Sequence, residues 1–503
     1  MMCKQHRNNL LTFIKVALIS FSAAFLPVIS SSCSHTYRHT KVQNTQSSRI
    51  LSAHQTHKLL KTWTSNGYQD LTDHKITFES HHPLIKTSEV NKIISGFSIS
   101  SRANNTDGIG LASLIQIKSR MGTIFTPLTR DSFLSNLQPA NLVATQKWQN
   151  NIRVTHIDIY DPRSDLHNGL PLAHQPKIVM RYLNSIPGNS KLKFKGLLKP
   201  QKYNKHQGFY LSDPYDKNKI PIIMIHGLAS SPETFMDMAE SINASPELRK
   251  KYQLWFYFYP TGTPWLVTAS DFRESYNRLI QKIDPSYSNQ NIKKTVLICH
   301  SMGGLIARAS LSEPGHILTK TYLGEAQITD KFTTTEREKI NNYFNFKPLT
   351  QPSKVIFLAT PHRGSKIATG LIGWAATKLI TIPSFIIQQT ADTLTLGLIP
   401  FIDLDIPDHT KRLLSKGESS IDQLKPNNPS IIALNRMPLR RNLDVYSIIG
   451  DKGQPYLNLN TDGVVSYQSS HLPNAKEEII IPSNHDICSR KKAIEAVIRI
   501  LQN

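Results

Sequence analysis

Cysteine is scarce. Four occur in 503 residues, at positions 3, 33, 299 and 488. Four thiols so far apart make neither a disulfide scaffold nor a cysteine metal site. Acidic residues are outnumbered, 36 Asp+Glu against 59 Lys+Arg, which leaves a net charge of +23. That excess favours anionic surroundings such as lipid headgroups. The chain has no zinc-finger spacing, no arginine-rich block and no basic repeat interleaved with aromatics, so nucleic acid is not the expected partner. It also lacks an internal repeat. What remains is ordinary for a globular protein, 39% hydrophobic and 19% charged, and its length suits two domains, each able to bury a core.

No apolar run reaches the length of a comfortable transmembrane helix. The nearest, "VALISFSAAFLPVIS" from Val16 to Ser30, follows Lys4, Arg7 and Lys15 and precedes small polar residues. This is the anatomy of a secretory signal over residues 1–32. Its removal takes away three positive charges, so +23 becomes +20 and the basic character stays with the exported part. "VISSSC" resembles a bacterial lipoprotein box, with Ser30 where a larger aliphatic residue is usual. Three outcomes follow, a lipidated Cys33, plain cleavage nearby or an uncleaved anchor, and the expected location is the periplasm or membrane of a bacterial envelope.

Residues 33–52 are polar and without apolar period, and read as a tether. Residues 53–210 mix short strand patterns with irregular segments. Arg153–Tyr160 and Lys191–Leu198 alternate as strands with one wet face. No catalytic constellation is legible there, and a structural or surface-docking α+β domain is expected. From about residue 211 the texture changes. Apolar runs beginning at Ile220, Leu254, Thr295, Lys354, Asp444 and Glu477 alternate with helical stretches such as Thr234–Ser241, Ser270–Lys282 and Lys491–Leu501. Strands apolar on both faces and separated by helices imply a mostly parallel sheet covered on each side. Residues 367 to about 435 interrupt the rhythm with an unusually apolar stretch, either a lid over a site or ordinary buried helices.

Active sites of such sheets gather beyond the carboxyl ends of the strands. "VLICHSMGG" places Ser301 at one such end, in a tight turn before a helix, where strand and helix backbones nearly touch and small neighbours are required. Gly303 and Gly304 meet that need downstream, and Cys299 meets it upstream. The segment resembles the G-x-S-x-G nucleophile elbow of the α/β-hydrolase fold, with Cys299 in place of the first glycine. Cys299 is then a packing residue. His300 cannot easily serve its immediate neighbour as a base and more plausibly shapes the pocket. "MIHGLASSPETF" after the Ile220 strand resembles the oxyanion loop of lipases and esterases, and "FLATPHRGS" resembles a segment of GPI inositol-deacylase-like lipases and their bacterial relatives.

What this resemblance implies spans residues 211–503. Ser301 is the nucleophile. Asp462, in "NTDGVVS", is the triad acid, with Asp451 as a rival. His485, in "PSNHDI", is the base, with His362 and His471 as rivals. The amides of Leu228 and Met302 form the oxyanion hole. Arg363 pins loops, or else binds a phosphate-bearing lipid, and Asp486 caps a helix. The expected activity is cleavage of carboxylic esters, with lipid substrates and an anionic membrane surface as partners and no metal or organic cofactor. The same residues would serve an acyltransferase, and an inactive envelope scaffold on this fold is the reading from another class.

Overall fold

The computed structural model describes residues 48–65, 74–82, 85–94, 109–117, 137–150, 152–161, 166–172, 207–212, 215–324, 334–366, 406–416, 418–453 and 460–503. The signal, Cys33, the Lys191–Leu198 strand pattern and the apolar run from 367 to 405 lie outside them. The chain divides into two compact units, the second of which contains every strand after residue 207.

In the first unit, Ser52 and Gln55 exchange side-chain and backbone hydrogen bonds (3.0 and 3.3 Å), a reciprocal cap on helix α1, Ala53–Ser65. The strands of its main sheet are β1 (Arg49–Ile50), β2 (His74–Ser80), β3 (Val90–Ile94), β4 (Leu111–Ile117), β5 (Leu137–Gln149) and β6 (Ile152–Tyr160). They pair in the order β2-β6-β5-β4-β3, with β1 also on β5, and only the β2–β6 pair is parallel. Alternation sends Ile76, Ile157 and Ile159 into a core shared with Leu60 of α1. The opposite face carries Thr77, Glu79, His156 and Asp158 in direct register.

The second unit is a seven-stranded sheet. Its strands are β7 (Gly208–Leu211), β8 (Ile220–Ile225), β9 (Tyr252–Phe258), β10 (Val296–His300), β11 (Lys354–Leu358), β12 (Asp444–Asp451) and β13 (Glu477–Pro482), in the order β13-β12-β11-β10-β8-β9-β7. All pairs are parallel except β7 with β9. β8, β9 and β10 are wholly buried, as two-sided coverage requires. From β8 the chain moves first to β9 on one side and then to β10 on the other. The strand order therefore reverses between β8 and β10, which opens a crevice at their carboxyl ends. This sheet is that of the α/β-hydrolase fold.

Two helices differ from the sequence expectation. The stretch near Thr234 begins as a 3-10 turn over Pro232–Phe235, and the α-helix proper, α2, is Met236–Ala244. Pro232 suits a first helical position because its missing N–H has no intrahelical partner there. Helix α3 runs Trp265–Ile283, five residues earlier than its periodicity signals. Trp265, Leu266 and Val267 are buried without period, and Gln423 supplies the acceptors for the Trp265 indole (3.1 Å) and the Leu266 amide (3.2 Å). A distant residue thus completes the helix start. Of residues 367–435, the described part includes α5 (Pro429–Arg436), which follows the elbow helix α4 (Met302–Leu311) and buries Ile431, Ala433 and Leu434 in the main core. Helix α6 (Lys491–Gln502) ends the chain with an apolar face against the sheet. Among the described residues no helix is long and apolar enough to cross a membrane.

Candidate active site

Ser301 stands between β10 and α4 with φ 52° and ψ −124°. A serine in this left-handed region carries strain of about 1–3 kcal/mol, which surrounding contacts must offset. Those contacts are visible. The Ser301 amide donates to the Leu358 carbonyl (2.9 Å) and its carbonyl accepts from the Gly304 amide (2.9 Å). A Cβ on Gly303 would sit 2.3 Å from the Ile225 carbonyl oxygen and 2.5 Å from that of His226; one on Gly304 would sit 2.0 Å from Thr360 Oγ1. Both glycines are therefore sterically required. Cys299 is fully buried, and burial pushes its thiol well above the usual range, so it remains a protonated packing residue.

His485 follows β13. Its Nε2 lies 2.9 Å from Ser301 Oγ and its Nδ1 2.7 Å from Asp462 Oδ2. The carboxylate can only accept, so His485 carries its proton on Nδ1, and Nε2 is left to accept from the serine hydroxyl. Asp462 is buried, and its Oδ1 accepts from the amides of Val464 (2.8 Å) and Val465 (2.7 Å). Burial opposes its ionisation. The hydrogen bond and charge of His485, with the two amides, outweigh that and hold the carboxyl below the ordinary aspartate range. Gly450 makes room for this loop, since a Cβ there would meet Asp462 Cβ at 2.9 Å.

The rivals lie elsewhere. Asp451 caps its own turn, accepting from the Gly453 amide (2.9 Å). His471 pairs with Glu478 (2.8 Å). His362 is buried edge-on to Phe357, and burial together with Arg308 and Arg363 holds it neutral far below the usual histidine range. Arg363 donates to the carbonyls of Gln468 (2.7 Å) and His471 (2.6 Å), so it pins the loop after Asp462. Asp486 occupies the first position before the short turn Ile487–Ser489, but its carboxylate makes no capping bond, contrary to the capping role expected from sequence.

The loop after β8 is pressed against the serine, since a Cβ on Gly227 would fall 2.9 Å from Ser301 Cβ. Leu228 comes next in that loop. Met302 opens α4, where the helical ladder offers its amide no acceptor. His226 is structural: fully buried, it stacks on Tyr259 (4.4 Å between centroids), and its carbonyl accepts from the Tyr259 hydroxyl (2.6 Å).

One contact was not legible in the sequence. His300 Nε2 lies 2.9 Å from the carbonyl oxygen of His485 and must donate to it. Burial, then the neighbouring His485, lowers the pKa of His300 to about 3, so it is neutral at physiological pH. The elbow thus holds the base through its backbone as well as through its ring.

Residues 216–323 match the family model of the PGAP1-like alpha/beta domain. Among solved structures, the mature lipase BlEst2 of Bacillus licheniformis is similar, at 16% identity over 58% of this chain and 97% of that one, with a TM-score of 0.34. Lipase 1 from Pelosinus fermentans is 12% identical over 57% and 98%, with a TM-score of 0.32. The Staphylococcus hyicus lipase is 13% identical over 57% and 97%, with a TM-score of 0.33. No curated protein sequence matches the chain.

Proposed function

We propose that this chain, whose second unit carries a PGAP1-like alpha/beta domain, is a serine hydrolase that cleaves carboxylic ester bonds of lipids. The observation that carries the reading is the unbroken relay Ser301–His485–Asp462, with both contacts at hydrogen-bonding distance. Serine is a poor nucleophile at neutral pH without such a base. Ser301 Oγ attacks the ester carbonyl carbon while its proton passes to His485 Nε2. Asp462 stabilises the imidazolium without taking the proton. The Leu228 and Met302 amides receive the charge on the carbonyl oxygen, a contribution of about 3–4 kcal/mol for a single donor. The proton on Nε2 then goes to the leaving alcohol. Water, deprotonated by the same nitrogen, releases the acid and restores Ser301.

A lipid substrate agrees with the net charge of +23, which favours an anionic surface, and we propose an exported, envelope-bound location with it. The test is labelling by a fluorophosphonate probe alongside hydrolysis of esters of graded chain length. Wild type labels and hydrolyses; Ser301→Ala does neither, losing at least about 10³-fold in kcat while melting at nearly the wild-type temperature. A wild-type protein that binds lipid vesicles yet neither labels nor turns over would sink the reading.

A further inference from the structure

The first unit, in which the sequence shows no constellation, brings together a second cluster of chemically competent side chains. Parallel strands β2 and β6 pair Thr77 with His156 and Glu79 with Asp158. Side chains two apart share a face of a strand. Glu79 and, just past the strand end, His81 therefore stand beside His156 and Asp158, on the face opposite Ile157 and Ile159. The ligand atoms of Glu79, His81 and Asp158 all lie within 4.8 Å of one another. His81 Nε2 is 3.1 Å and His156 Nε2 3.3 Å from the same oxygen, Asp158 Oδ1, and His156 Nε2 is 3.4 Å from Glu79 Oε2.

From this we infer that Glu79, His81 and Asp158 form a binding site for a divalent transition metal, zinc being the best fit, with the neighbouring His156 moving in as the fourth ligand. Donors bound to tetrahedral zinc at 2.0–2.2 Å stand about 3.3–3.5 Å from each other. The three nitrogen–oxygen separations fall at or just below that edge, and the Glu79, His81 and Asp158 atoms lie within 4.8 Å of one another, so local side-chain adjustment admits the ion. Two imidazoles and two carboxylates are a donor set suited to zinc and its neighbours rather than to calcium or magnesium. The charges balance, since two carboxylates and two neutral imidazoles offer −2 to a dication.

Two details orient the ligands. His156 Nδ1 is 2.8 Å from Thr77 Oγ1; with Nδ1–H donating to that hydroxyl, Nε2 presents its lone pair to the cluster. The His81 ring is stacked on Tyr160 (4.8 Å, 19°), which fixes its plane. Asp158, the donor common to two of these three contacts, is buried with only 9% of its side chain exposed. A buried carboxylate addressed by two imidazole nitrogens at one oxygen is better compensated by a shared cation than by a single proton.

The test is a zinc titration of the whole chain, freed of metal by chelator, in competition with a chromophoric chelator. Wild type should take up one tight equivalent. His81→Gln with His156→Gln should bind that equivalent at least about 100-fold more weakly, because both imidazoles are gone. Glu79→Gln, whose side chain is mostly exposed and whose change leaves the core untouched, should weaken it about tenfold even if the double variant folds poorly. Cobalt in place of zinc should give the visible d–d bands of a four-coordinate site in wild type, and the double variant should lose them. No tight equivalent in wild type, or one that survives unchanged in a folded Glu79→Gln and in the double variant, would overturn the assignment.

Discussion

At the scale of single residues, His485, the proposed base, is held from three directions: by Asp462 at Nδ1, by Ser301 at Nε2 and by His300 at the backbone carbonyl. The last is the least obvious and is testable. His300→Leu removes the donor and leaves the His485 carbonyl unpaired, so kcat should fall about tenfold with KM little changed, the equivalent of one ordinary hydrogen bond. His300→Gln, which retains a donor, should recover part of the loss. Asp462→Asn should act differently, lowering kcat by about 10³–10⁴-fold because the amide no longer fixes the tautomer. Steady-state kinetics on a soluble ester would distinguish all three. Ser301, Asp462 and His485 were legible as candidates because each sits in a short, recognisable context at a strand end, and the structure brings the three within hydrogen-bonding distance. His300 was legible as a neighbour of the serine but not as a support, since its partner lies 185 residues away. Neither Glu79-x-His81 nor His156-x-Asp158 stood out in the sequence, because only the β2–β6 register unites them.

At the scale of elements, the elbow is a packing problem solved by residue size. The carbonyls of Ile225 and His226 approach Gly303 so closely that Gly303→Ala must move either β8 or α4. It should cost about 1–3 kcal/mol or more and displace the serine, so probe labelling falls along with stability. Cys299→Ala is the contrasting change. It empties a little volume beneath the turn and removes a thiol that burial keeps protonated, so it should cost about 1 kcal/mol and leave turnover within about twofold. Chemical denaturation paired with labelling separates the two outcomes. The element reading succeeded where period and strand composition were strong, as in all six parallel strands of the main sheet. It missed the start of α3 because Gln423, remote in sequence, supplies the cap and burial erases the period.

At the scale of the whole molecule, two buried neutral histidines shape the response to acid. His300 is depressed to about 3 by burial and His485, and His362 well below its ordinary value by burial, Arg308 and Arg363. In the unfolded chain both would take up protons near pH 6.5. The unfolded state therefore binds more protons as pH falls below that value, and folding stability declines, at most by about 1.4 kcal/mol per pH unit for each group. Asp462, depressed in the folded state, adds to the loss only at lower pH, on approaching its unfolded value near 4. Thermal melts from pH 7 down to pH 4.5 should show the fall, and His362→Phe should flatten it. The sheet order has its own consequence. β13 borders a single neighbour, β12, and the imidazole hangs from its far end. A strand bonded on one side has fewer contacts to lose, so warming should silence turnover several degrees before the circular-dichroism signal moves.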